Sequence, residues 1–255
     1  METIELKKFI KDVGDTVHSM NTIAVALSKL NSANLQIPEG LEISWDPKNI
    51  EVSKMLSRNF NARSTYVYVA ESLFQYLNNI SKNPYWAYES INFKGEEKKA
   101  IKVYTFLKSI PLIDERLAIL CEFLCHWRNR IVHLDSSNAE LSNTKTKKLI
   151  ESKEYFYNNF HHFDINEGLT NFKEKKITLK DVSTLSTIAI KCVRKIDEYL
   201  FEGISQQSAT TIVSKIIENR DIKRFISQGD CLKTRRQIGR WVQINFPFLT
   251  DKNTI

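Results

Sequence analysis

Apolar residues recur at three- and four-residue steps along most of the chain, the period of helices that bury one face. Over residues 4–30 the stripe is Leu6, Phe9, Ile10, Val13, Val17, Met20, Ile23, Ala24 and Leu27, with Gly14 as its weak point. Residues 35–46 break the period: Pro38 and Gly40 precede alternating Leu41, Ile43 and Trp45, an extended connection with room for a short strand. Asp46-Pro47 then supplies a helix start, since Asp can cap and Pro is tolerated in the first turn. Met55, Phe60, Tyr66, Val69, Leu73 and Leu77 carry that helix to about residue 80, with a break expected near Asn59 to Asn61. Asn83-Pro84 stops it, and a further helix over 96–110 ends at Pro111.

The strongest period lies at 113–133, where Ile113, Leu117, Leu120, Leu124, Trp127 and Ile131 share one stripe. The opposite face carries Glu115, Glu122, His126, Asn129 and His133, which the pattern places away from the core. Turn-forming residues at 135–138 end this helix. Residues 144–160 are basic and then aromatic with helical spacing, followed by a loop through Gly168. Thr178 and Asp181 resemble a capping box with Asp in place of Glu. They open a helix through Val182, Leu185, Ala189, Cys192, Ile196 and Tyr199 that ends near Gly203, and 208–219 reads as one more. The expected fold is all-α, an up-and-down helical bundle over 46–205, with an N-terminal helical extension (1–45) and a basic C-terminal one (206–255). Only seven Gly and five Pro in 255 residues agree with helices rather than turn-rich β-structure.

Charge adds one feature to this frame. The net charge is +7, and between residues 215 and 240 eight basic residues face three acidic ones, which concentrates most of the excess there. Lys233, Arg235, Arg236 and Arg240 are the candidates for phosphate contacts, or for docking an acidic partner protein. The four cysteines, Cys121, Cys125, Cys192 and Cys231, sit mostly inside apolar helical stretches and show no disulfide-framework spacing, which points to reduced thiols in the cytoplasm. Cys121, Cys125 and His126 lack a second ligand pair, so no metal site is expected. No apolar run approaches a membrane span, and residues 1–30 are charged throughout, unlike a signal peptide. Tyr85, Trp86, Tyr88 and Phe93 cluster beside lysines and suit either base stacking or packing on the core.

The compact chemistry is at Trp127-Arg128-Asn129-Arg130-Ile131-Val132-His133. Histidine exchanges a proton near neutral pH, and arginine offers a fixed cationic fork for the charge that builds on a phosphate in transfer. Together they are a sufficient minimum for RNA cleavage without a metal. Five positions on an ideal helix span about 140°, so Arg128 and His133 do not share a face, whereas Asn129 and His133 do. One helix presents the pair only if it ends there and the arginine reaches round. A second subunit facing the first would pool the separated groups. Glu122 and His126 fall on the same side as His133 and are candidate cleft residues, and Arg130 is a further candidate for nucleic-acid contact.

Arg128, Asn129 and His133, at the end of a helix in an all-helical setting, resemble the Arg-x4-6-His motif of the HEPN superfamily (higher eukaryotes and prokaryotes nucleotide-binding). The resemblance covers roughly residues 46–203 by helix pattern, with specificity only in the motif. It implies a HEPN-like bundle acting as a homodimeric, metal-independent endoribonuclease in toxin–antitoxin, abortive-infection or other antiviral defence, with an antitoxin or regulatory protein as possible partner. Arg128 and His133 take the places of the catalytic pair, Asn129 that of the polar residue after the arginine, and no cofactor is implied. The tyrosine that some members carry two residues after the histidine is Asp135 here, so their nucleotide-modifying arrangement is not expected. The reading from another class is a non-catalytic helical module that binds nucleic acid or protein through the basic C-terminal region, with Arg128 in an ordinary ion pair and His133 as a helix-end residue.

Overall fold

The computed structural model describes residues 2–31, 37, 39–81, 99–133, 140–205, 214 and 216–245. The expected aromatic cluster at 85–93, the turn at 135–138, Lys215 and most of the 208–219 helix lie outside these residues. Among the described residues there is no strand, and none of the helices is long and apolar enough to cross a membrane. The chain is an all-α bundle.

α1 (Ile4–Lys29) opens at Thr3, whose hydroxyl accepts from Leu6 N at 3.0 Å. Thr3 is itself held by α8 (Leu179–Ser205), donating its backbone N–H to Asp197 at 2.9 Å. α1 passes Gly14 without a break and buries Leu6, Phe9, Val13 and Met20 against α2 (Ile50–Ile80) and α8. α1 therefore contributes to the same core as the bundle. α2 starts later than Asp46-Pro47 suggests, because the Asn49 side chain accepts from both Glu51 N and Val52 N and fixes the first turn. Its expected break does not occur. The buried Asn61 donates instead to Met20 O at 2.9 Å, joining α2 to α1.

α3 (Lys99–Lys108) and α4 (Glu115–Val132) form the next antiparallel pair, and α4 also packs on α2, α8 and α5 (Asn143–Glu151). Every residue from Ala118 to Trp127 is buried, so α4 is a central helix covered on all sides. The stretch expected as one helix over 144–160 is two, α5 and α6 (Lys153–Asn159), meeting at Ser152. The expected loop through Gly168 is α7 (Ile165–Lys173), capped by Asp164. Gly168 is required there by close packing: a Cβ would stand 2.9 Å from Cζ of Phe163, a side chain only 1% exposed. For Gly168→Ala, overpacking of roughly 1–3 kcal/mol opposes a gain of about 1 kcal/mol in helix propensity. A lower urea midpoint is expected. The expected cap at Thr178 forms, with Asp181 N donating to its hydroxyl at 3.1 Å, but the Asp181 carboxylate turns to Asn171 on α7. α9 (Arg220–Ile226) and α10 (Leu232–Asn245) pair through a turn containing Gly229 at φ +88°.

The start of α4 carries a charge cluster. Glu115 accepts from Tyr104 Oη at 2.6 Å, lies 2.9 Å from Lys108 Nζ and pairs with Lys148 of α5. The lysine contact from Lys148, then those from Tyr104 and Lys108, hold its carboxyl down at about 2 against an ordinary 4.5. A depressed carboxylate contributes stability that is fully present above its unfolded value and lost as it protonates. Unfolding measured from pH 5 to pH 2 should therefore show a smaller acid-induced loss in Glu115→Gln than in the wild type.

Candidate active site at the end of the central helix

The end of α4 is set by packing. Trp127, 1% exposed, stacks on Tyr66 of α2 with ring centroids 5.2 Å apart and meets Phe172 of α7 edge-on at 5.0 Å. Those contacts fix the last buried turn, and Arg128, Asn129 and Arg130 emerge from it half-buried. Helical geometry stops at Val132. His133 is the C-cap, at φ −113° and ψ 103°, with its backbone N–H donating to Asn129 O at 2.8 Å.

The helix ends here and the arginine reaches round, the one arrangement in which a single helix presents the pair. His133 lies outside the helix, and Arg128 Nη1 approaches its Nε2 at 3.3 Å. A guanidinium has only donors, so in this contact Nε2 is the acceptor and its lone pair is held by Arg128. The same Nη1 stands 3.3 Å from Asn129 Oδ1, so Asn129 helps to orient the arginine. The pair closes within one chain, and separation on the helix no longer calls for a second subunit.

A fourth group completes the arrangement. Glu71 of α2 places Oε1 2.5 Å from Arg128 Nη2, with 43% of its side chain exposed against 17% for Arg128. Arg128 is thus clamped between an acid on α2 and the imidazole at the end of α4. Sequence reasoning missed Glu71 because its role depends on the packing of α2 on α4. Nothing local distinguishes it from any other surface glutamate.

Glu122 and His126 are not cleft residues. They are 3% and 7% exposed and lie inside the bundle. Lys145 of α5 reaches Glu122 Oε2 at 2.5 Å, while His126 Nε2 stands 3.5 Å from Glu122 Oε1. Lys145 also lies 3.5 Å from the Tyr104 ring centroid. At Glu122 the face opposite the apolar stripe is covered by α5, whose Lys145 pairs with the carboxylate, while neither ring nitrogen of the buried His126 has a hydrogen-bond partner among the described residues. Cys121, Cys125 and Cys192 are buried free thiols, and burial pushes Cys125 up. Among the described residues no group of three or more His, Cys, Asp or Glu is placed to hold a metal ion.

Arg130 is likewise removed from the expected nucleic-acid set. It donates to Phe172 O at 2.6 Å, lies 3.1 Å from Glu140 Oε1 and stacks on the Phe172 ring at 3.7 Å. With its side chain 11% exposed, it clamps α4 to α7. In the C-terminal pair, Arg235 forms a two-pronged ion pair with Asp230, at 2.7 and 2.6 Å. Lys233, Arg236 and Arg240 are exposed and fall at helical spacing on one side of α10, while Ile238, Trp241 and Val242 pack on the core.

No protein-family model matches this chain, and comparisons with curated proteins and with solved structures give no match either.

Proposed function

We propose that this protein is a metal-independent endoribonuclease of HEPN type, with Arg128 and His133 as its catalytic pair. The observation that carries the reading is the 3.3 Å approach of Arg128 Nη1 to His133 Nε2 at the end of a rigidly packed helix. When Arg128 turns from His133 Nε2 to the phosphate, Nε2 is released to take the proton of a ribose 2′-hydroxyl. The 2′-oxygen then attacks the adjacent phosphorus, the bond from phosphorus to the 5′-oxygen breaks, and the departing 5′-oxygen takes a proton from water. A 2′,3′-cyclic phosphate and a 5′-hydroxyl remain. Arg128, held by Glu71 and Asn129, carries the charge that grows on the phosphoryl oxygens. The HEPN resemblance adds a homodimer, a cytoplasmic setting and a role in toxin–antitoxin or other antiviral defence, with an antitoxin or regulatory protein as partner. Expression in a bacterium tests the toxic reading. Growth should stop with the wild type and continue with His133→Ala at equal protein level, whereas equal growth of both would contradict it.

A second reading rests on the exposed row Lys233, Arg236 and Arg240. A purely binding module would hold RNA or DNA in a salt-sensitive way that survives His133→Ala and is lost in Arg236→Glu/Arg240→Glu. Cleavage by the wild type separates the two.

A further inference from the structure

Beside the Arg128–His133 pair, α2 turns an apolar face outward. Phe60 and Tyr68 are 74% and 50% exposed, and with Arg63, Val67, Glu71 and Ile131 they line a groove of about 720 Å3. That volume lies within the roughly 300–1,000 Å3 of sites that hold organic ligands. Its two ends differ in chemistry. Phe60 stands at one end and Tyr68 beside Glu71 at the other, about 12 Å apart along α2, with Arg63 between them in the helix. Glu71 is the residue that grips Arg128, so whatever fills the groove abuts the guanidinium assigned to the phosphate.

We infer that this groove holds a short single-stranded RNA segment next to the scissile phosphate, with Tyr68 stacking the base nearest Glu71, Phe60 stacking one further along, and Arg63 on the phosphate between them. The inference rests on the ribonuclease reading. Three observations choose this occupant: continuity with Arg128 through Glu71, the cation between the aromatics in the helix, and aromatic side chains left in water, where a base can cover them. A base needs only a π-face and is tolerated without sequence preference, and each such stack is worth about 1–3 kcal/mol. A duplex keeps its bases stacked on each other and cannot use the groove.

The test uses the full chain carrying His133→Ala, so that RNA is bound and not cut, and a fluorescent single-stranded oligoribonucleotide. Phe60→Ala and Tyr68→Ala should each weaken binding by roughly ten-fold, Phe60→Trp should retain it, and the duplex of the same sequence should bind without sensitivity to either alanine. Phe60→Trp should also show its fluorescence quenched by the single strand. Both side chains are exposed, so the variants fold, which circular dichroism checks. Unchanged affinity in both alanine variants overturns the inference while leaving the catalytic pair untouched. It is overturned equally if light scattering shows Phe60→Ala falling from a dimer to a monomer with RNA affinity intact, because the face is then covered by a second copy. If the wild type cleaves nothing, the quenching measurement still decides whether the groove takes a base.

Discussion

His133→Ala is expected to leave a folded protein whose RNA cleavage is slower by roughly 10²–10⁴-fold, the range lost with a general acid or base. The side chain is exposed at the end of α4, so its removal should move stability by no more than about 0.5 kcal/mol. The loss should therefore fall on kcat rather than on the amount of native protein. Arg128→Ala should cost roughly 10²–10³-fold, as removal of a charge-stabilising donor does. Arg128→Lys should not restore the activity. A single ammonium cannot meet Glu71, Asn129 and His133 in the geometry of the planar fork. Cleavage rates on one RNA, with circular dichroism of each variant, check the set. Full activity in His133→Ala would exclude the assignment.

The largest stability effect is expected at Lys145. Glu122 is 3% exposed, and Lys145 is its closest cationic partner, at 2.5 Å. Lys145→Ala leaves a carboxylate inside the bundle with a histidine 3.5 Å away and no lysine. Breaking a buried pair by removing one partner costs about 3–5 kcal/mol. The lower end applies here, because the lysine side chain keeps 17% of its surface in water. The double change Glu122→Leu/Lys145→Met removes both charges and should recover most of the loss. Urea unfolding of the wild type, the single variant and the double variant separates the desolvation cost from simple loss of packing.

Glu122 also marks where sequence reasoning stops. The apolar stripe of α4, from Leu117 to Ile131, is legible because helical period and residue type agree. The placing of the whole opposite face away from the core is not, because periodicity counts residue types and cannot see α5 bringing Lys145 over Glu122. The same limit hid Glu71, whose partner Arg128 is brought to it only by the packing of α4 on α2. The helix break expected at Asn59 to Asn61 failed for a related reason: a polar side chain that would favour a turn locally found Met20 O across the α1–α2 contact. At the site itself, the arithmetic of an ideal helix holds as far as Val132; His133, one residue beyond in extended conformation, is where the helix ends and the arginine reaches round, and periodicity alone could not choose that arrangement over a second subunit. Caps such as Thr178 were readable since their chemistry is local. Arg130 and Arg235 looked like free cations because their acceptors, Phe172 O and Asp230, are fixed only by the folded chain.

Whether Arg128 and His133 cut RNA without a metal is decided by the ends of the products. Purified wild-type protein should be incubated with a defined single-stranded RNA in excess EDTA and the product ends identified by mass. The geometry at the end of α4 leads us to expect undiminished cleavage that leaves 2′,3′-cyclic phosphate and 5′-hydroxyl ends. No cleavage, cleavage abolished by the chelator, or products with 5′-phosphate ends would contradict the assignment.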